Sequence, residues 1–207
     1  MNKLTSSELI DQLNRIESRL MQYKKLGYDI IGSRKFVLNC AGTLTPEILE
    51  LGTGKGHTAL AIAQAGYFLI SVDNNSEMLD IARAWIARSG LSNKVSLVYG
   101  NIEGLKFPNN SFSTIISVDL WHHLSNYEKA LDEMFRVWNG KGKLVIADMN
   151  ERGMDIVNQL HVSEGRIHPS GKIGIDKLGD MLAGRKIAFN KYDDMCEMVY
   201  IINKKEN

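Results

Sequence analysis

Between residues 48 and 63 an apolar run, a glycine turn and a helix-like pattern follow one another without a spacer, and few folds admit that order. The run Ile48-Leu49-Glu50-Leu51 suits one buried strand. Gly52, Gly54 and Gly56 then take alternate positions, and Thr58 to Ala63 reads as helix. Glycine is required where a turn needs φ > 0 or where a ligand must approach the backbone closely. Strand, Gly-rich turn and helix in that order make a binding loop of the phosphate or nucleoside type.

The spacing narrows the ligand. A dinucleotide fingerprint, Gly-x-Gly-x-x-Gly, needs its third glycine at His57, so it fails here. A phosphate-gripping P-loop needs Gly-Lys-Ser/Thr at its end, and Gly56 is followed by His57. Glu50, just ahead of the loop, would repel a pyrophosphate but would suit a ligand carrying positive charge.

The rest of the chain repeats the same alternation. Strands are expected at Glu47–Leu51, Phe68–Asp73, Val95–Tyr99, Phe112–Val118 and Lys143–Ala147. Helices are expected from about Gly56 to Ala65, behind Asn75 or Ser76, and behind a capping box at Ser125-Asn126-Tyr127-Glu128. Strands separated by helices of this length require parallel pairing with right-handed crossovers, hence an α/β doubly wound sheet. Ahead of it, residues 5–25 read as an amphipathic helix capped by Ser6 or Ser7, and Ser33 to Ala41 as a second. These two either cover the sheet or form part of a substrate lid, with core cover the simpler reading. After Asp148 come a helix over Asp155–Val162, a polar segment from Ser163 to Gly174, and a short helix over Asp176–Ala183. Two β-like runs, Lys186–Tyr192 and Met195–Asn203, close the chain around a two-residue turn at Asp193-Asp194. Residues 1–45 are therefore expected to be a helical cap on a domain spanning 46–207, the two forming one globular unit.

Charge argues against two partner classes. With 25 basic and 24 acidic residues the net charge is +1, which gives no general pull toward nucleic acid or an anionic membrane. No apolar run approaches the roughly 20 residues that span a bilayer. Met1 to Gln12 has no apolar signal-peptide core, and Cys40 and Cys196 have no ligand spacing, so a reducing cytoplasm is the expected location.

Glu50-x-Gly52-x-Gly54-x-Gly56 resembles motif I of the class I S-adenosylmethionine-dependent methyltransferases, small-molecule type, and the likeness is good over roughly residues 46 to 150. The resemblance implies a Rossmann-like, seven-stranded sheet that is mostly parallel with a C-terminal antiparallel hairpin, and S-adenosyl-L-methionine as cofactor. It implies a cofactor site made of Glu50, Gly52, Thr53, Gly54, Gly56, Asp73 with Asn74, Met78, Asn101, Ile102 and Asp119. Asp73, at the end of strand 2, would hold the ribose hydroxyls. Asn101-Ile102 stands where the family commonly has an acidic residue and would meet the adenine, Asn101 through its amide oxygen. Strand 4 delivers Asp119 and His122 to the transferable methyl. His122 is the general-base candidate because an ordinary imidazole titrates near neutral pH; His123 is better read as packing. His161 and His168 add possible neighbours, but no pair has helical ligand spacing, and no metal is expected.

The expected activity is methyl transfer to a nucleophilic atom of a small-molecule acceptor. A non-catalytic cofactor-binding sensor or scaffold, and methylation of RNA or protein, are the alternatives. The acceptor and the oligomeric state are not legible.

Overall fold

The structure, a computed structural model, describes residues 4–167 and 174–203. His168 and Ser170 lie outside these residues. Seven strands form one sheet: β1 (Ile48–Leu51), β2 (Leu69–Asp73), β3 (Val95–Tyr99), β4 (Thr114–Val118), β5 (Leu144–Met149), β6 (Asn190–Asp193) and β7 (Glu197–Ile202). Their order is β3-β2-β1-β4-β5-β7-β6. The first five pair in parallel; β7 runs antiparallel between β5 and β6. This is the doubly wound, mostly parallel sheet with a closing hairpin that the sequence predicts.

The strand period of two sorts the core into two layers. Leu49, Leu51, Ile115, Leu144 and Ile146 face one side, where they pack against α5 (Tyr127–Val137) and α7 (Asp176–Gly184). Ile48, Ile116, Val118, Val145 and Val199 face the other, against α2 (Ile30–Ala41) and α3 (His57–Gln64), with α4 (Ser76–Ala87) adding Ile86. The same parity turns the side chains of Glu50 and Glu197 toward the α2 and α3 side. Helix α1 (Ser6–Lys25) packs on α4 through Leu13, Ile16 and Ile81. Helix α6 (Glu151–Ser163) joins Tyr23 and Tyr28 in a separate apolar cluster through Ile156, Val157 and Leu160.

Several local expectations need correction, most of them at helix starts. Thr5 caps α1, rather than Ser6 or Ser7: its hydroxyl accepts from Glu8 N (3.3 Å) while the Glu8 carboxylate accepts from Thr5 N (2.7 Å). Helix α2 starts at Ile30, not Ser33, because Asp29 accepts from Gly32 N at 3.1 Å. Helix α6 starts at Glu151 because Asn150 accepts from Gly153 N. Only glycine fits at 153, since a Cβ would lie 2.3 Å from the Cys196 carbonyl oxygen. The expected Ser125 capping box does not form. Asn126 caps α5, and the Ser125 hydroxyl donates to Glu103 instead. Strand β4 begins at Thr114, since Phe112 makes only an isolated bridge to Trp138. The closing hairpin turns over three residues, 194–196, with the Asp194 carboxylate accepting from Cys196 N and Glu197 N. No helix among the described residues is long and apolar enough to cross a membrane.

Candidate active site

The glycine loop leaves the carboxyl end of β1, as open parallel sheets place their ligand loops. All three glycines have positive φ: Gly52 at 84°, Gly54 at 48° and Gly56 at 83°. Two of them answer to packing. A Cβ on Gly52 would sit 3.0 Å from Leu120, and one on Gly56 would sit 3.1 Å from Ala82. Nothing lies within 4 Å of a Cβ on Gly54, so that residue presents bare backbone to open space.

Glu50 lies beneath the loop, fully buried, and lines neither of the cavities described below. Its carboxyl accepts from the Ser71 hydroxyl, which in turn shares a 2.5 Å hydrogen bond with Thr53. Burial pushes the Glu50 carboxyl up to about 8, against the opposing pull of Ser71, the Ala59 amide and Arg34. Glu50 therefore ties the loop to β2 from below.

Two cavities flank Gly52 and Gly54. The first, about 520 Å³, runs over the ends of β1 to β3 and is lined by Asp73, Asn74, Asn101, Ile102, Glu103 and Leu120, among others. Asp73 is pre-set at its floor, accepting from Gly54 N at 2.7 Å and from Asn75 N at 2.9 Å. The Asn101 amide oxygen accepts from Glu103 N at 2.9 Å, so it caps a short 3-10 turn, a local role that the sequence did not suggest. The second cavity, about 590 Å³, extends the other way under α1 and α6, between Tyr23, Tyr28, Met149 and Val157. Gly52, Gly54, Met78, Asp119 and His123 line both. Of the residues expected at the cofactor, the structure thus gathers all but Glu50 and Gly56 along one continuous space.

Asp119 stands at the junction, in left-handed backbone (φ 54°) just past β4. Asx residues tolerate this region better than other non-glycine residues. Its Oδ2 accepts from the buried Arg34 guanidinium and from the Tyr28 hydroxyl at 3.3 Å. Burial would raise the Asp119 carboxyl, but Arg34 and then His122 hold it below its ordinary value. Arg34 also faces Glu197 at 3.6 Å, and Glu197 accepts from Ser33 (2.6 Å) and Tyr28 (3.0 Å). Burial first, and Asp119 second, drive Glu197 far above the carboxylate range, so one of the two acids is neutral.

His122 lies in the turn after Asp119, buried, with Nδ1 2.6 Å from Asp148 Oδ1. The other Asp148 oxygen accepts from His122 N at 2.8 Å. Burial disfavours the imidazolium, yet the Asp148 hydrogen bond and charge, helped by Asp119, raise His122 above 6.5. The His122 and His123 rings are in contact, tilted at 48° with centroids 3.9 Å apart. His57, the residue that breaks the dinucleotide spacing, also lines the second cavity. Burial, then Arg34 and Lys55, lowers its imidazole to about 3, so it stays neutral. His161 lines the same cavity from α6.

Arg34, Tyr28, Asp148 and Glu197 escaped the sequence reading. The one usable signal was an arginine and a glutamate embedded in apolar runs, Ile30–Ala41 and Glu197–Ile202, where an unpaired charge would be prohibitive.

Residues 49–146 match a family model described as a methyltransferase domain. The uncharacterised methyltransferase YcgJ of Bacillus subtilis is 36% identical over 101 residues, 49% of this chain and 40% of that protein. The ubiquinone/menaquinone biosynthesis C-methyltransferase of Vibrio cholerae is 29% identical over 133 residues, 62% of this chain and 51% of its own length. The chain thus spans about half the length of the curated relatives it matches. A solved structure described as an S-adenosyl-L-methionine-dependent methyltransferase, from Methanococcus maripaludis, superposes with a TM-score of 0.73 at 15% identity, over 100% of this chain and 98% of that one. That likeness is one of fold.

Proposed function

We propose that the protein, whose residues 49–146 match a methyltransferase-domain family model, is a class I S-adenosylmethionine-dependent methyltransferase that methylates a nucleophilic atom of a small-molecule acceptor. One observation carries the choice of cofactor on physical grounds. The cavity over β1 to β3 is lined by three acids, Asp73, Glu103 and Asp119, and by no lysine or arginine among the described residues. Such a cavity repels a pyrophosphate and accepts a nucleoside with a cationic sulfur. Asp73 offers a carboxylate to the ribose hydroxyls, the bare backbone at Gly54 allows close approach, and Ile102 and Leu120 flank an apolar slot for the base. Asn101 keeps its amide nitrogen for the base edge, its oxygen being bonded to Glu103.

When bound, the cofactor supplies a methyl group on a sulfonium that leaves as a neutral thioether. The protein contributes position and exclusion of water, worth up to roughly 7–11 kcal/mol in favourable systems. Asp119, held ionised by Arg34 where the two cavities meet, would place its charge toward the cationic end of the cofactor. Where the acceptor atom carries a proton, His122 removes it: with Nδ1 donating to Asp148, the imidazole accepts through Nε2.

Because Asp148 raises the His122 pKa, the deprotonated base is populated only above that raised value. Transfer is expected to climb with pH through a value above 6.5. Asp148→Asn should move this limb toward acid, since the charge that raised the pKa is gone. His122→Ala should slow transfer about a hundred-fold while leaving cofactor affinity in place, the usual size of a general-base contribution. A pH profile unmoved by Asp148→Asn would remove His122 from the base role.

The reading as a whole is tested by calorimetry with S-adenosylhomocysteine and NAD, followed by labelled methyl transfer to a fractionated metabolite extract. Tight NAD binding without S-adenosylhomocysteine binding would sink it. Cofactor binding with no labelled product in any fraction would favour a sensor. The near-zero net charge supports a small acceptor over RNA, and a cytoplasmic setting accords with two free cysteines.

A further inference from the structure

Beyond Lys55 the second cavity opens into an outer groove of about 520 Å³ that follows the face of α1 bearing Gln12, Arg15, Arg19 and Gln22. The two spaces share Ile16, Arg19, Lys55 and Met78, so the groove is the mouth of the chamber. Its charge is lopsided. Arg15, Arg19, Lys55 and Arg166 line it against a single carboxylate, Glu164. That carboxylate is already shared, bonded to Arg19 at 3.0 Å and to Arg166. Arg15 and Lys55 make no hydrogen bond or ion pair among the described residues.

Lys55 is the informative member. It sits half-buried in the glycine loop and lines both the chamber and the groove. Burial first, then Arg19 and Arg166, lowers it to about 8. The neighbouring His161 imidazole is lowered by burial and by the same two guanidiniums. A half-buried ammonium whose one neighbouring carboxylate, Glu164, is already shared by two guanidiniums is unfavourable until an anion arrives.

We infer that this groove holds an anionic group of the methyl acceptor, a carboxylate or phosphate, while the acceptor's less polar body reaches inward past Tyr23, Tyr28 and Val157. The word acceptor rests on the methyltransferase reading; the anion site does not. The cofactor cavity lies across Gly52 and Gly54 and is edged by acids. Opposite signs on the two sides of the loop therefore sort the two substrates: cationic sulfur to one side, acid to the other.

The test uses the full chain saturated with S-adenosylhomocysteine and titrated with inorganic pyrophosphate in a calorimeter. Lys55→Met and Arg166→Gln should each weaken pyrophosphate by about ten-fold, the size of one charge-assisted contact. The double variant Arg15→Gln/Arg166→Gln leaves the glycine loop intact and should keep S-adenosylhomocysteine affinity within about two-fold. Absence of pyrophosphate binding, or binding insensitive to these substitutions, overturns the inference. So does a parallel loss of S-adenosylhomocysteine affinity in the double variant, which would assign the cations to the cofactor's own carboxylate. If the wild-type chain binds pyrophosphate but never S-adenosylhomocysteine, the methyltransferase reading fails and the anion groove stands.

Discussion

Asp73→Ala is expected to weaken S-adenosylhomocysteine binding by about a hundred-fold or more, read by calorimetry on the folded variant. The magnitude follows from two separate losses. In the protein alone, the Asp73 carboxylate fixes the loop from both sides, through Gly54 N and Asn75 N. In the proposed complex its remaining acceptor capacity would serve the ribose hydroxyls. Hydrogen bonds to a charged group contribute about 1.5–3 kcal/mol each, so losing two corresponds to about a hundred-fold or more. Asp73→Asn should lie between the two, because the amide oxygen still accepts one bond without the charge. Unchanged affinity in Asp73→Ala would mean that the cavity over β1 to β3 is not the nucleoside site.

The second large effect is on stability. Arg34→Met should cost roughly 3–5 kcal/mol in denaturant unfolding, the usual price of removing one partner from a buried ion pair. Arg34 is 5% exposed and is the cation that faces both Asp119 and Glu197. Methionine fills the space but leaves Asp119 ionised without its counter-charge. Glu197→Gln should be mild, below about 1 kcal/mol, because Glu197 is already held neutral and a glutamine oxygen can still accept from Ser33 and Tyr28. Equal losses in the two variants would show that Glu197 is ionised as well, so that the cluster holds one cation and two anions rather than one cation, one anion and one neutral acid.

This cluster marks where sequence reasoning stops. The order of strands and helices could be read because period-two and period-3.6 patterns are local, and because glycines punctuate them at 52–56, 66, 90 and 140. Strand ends such as Asp73 and Asp119 could be read because parallel sheets put ligands there. Helix starts were less legible. Asp29 and Asn150 cap their helices through one side-chain bond each, which nothing in the apolar pattern announces. The second ring of the site was not legible at all. Tyr28, Arg34 and Asp119 come together with Glu197 only because β7 inserts beside β5 and turns Glu197 inward against α2. Tyr28 and Glu197 are separated by 169 positions in sequence, and no periodicity pairs them. His122 is legible from its place at the end of strand 4 and its ordinary pKa, whereas its partner Asp148 lies one residue beyond the predicted end of strand 5, inside the observed strand.

Glu50, sealed under the glycine loop, has a thermodynamic consequence. In the unfolded chain its carboxyl loses its proton near 4.5, while in the folded protein it keeps it to about 8. Folding at neutral pH therefore takes up a proton, and this residue's contribution falls as pH rises from about 4.5 to 8, then levels off. At pH 7 the difference amounts to roughly 3 kcal/mol against the folded state, at about 1.36 kcal/mol per pH unit. The glycine loop is thus anchored by a neutral acid. A cationic ligand in the neighbouring cavity lowers the Glu50 pKa and so couples its binding to partial proton release.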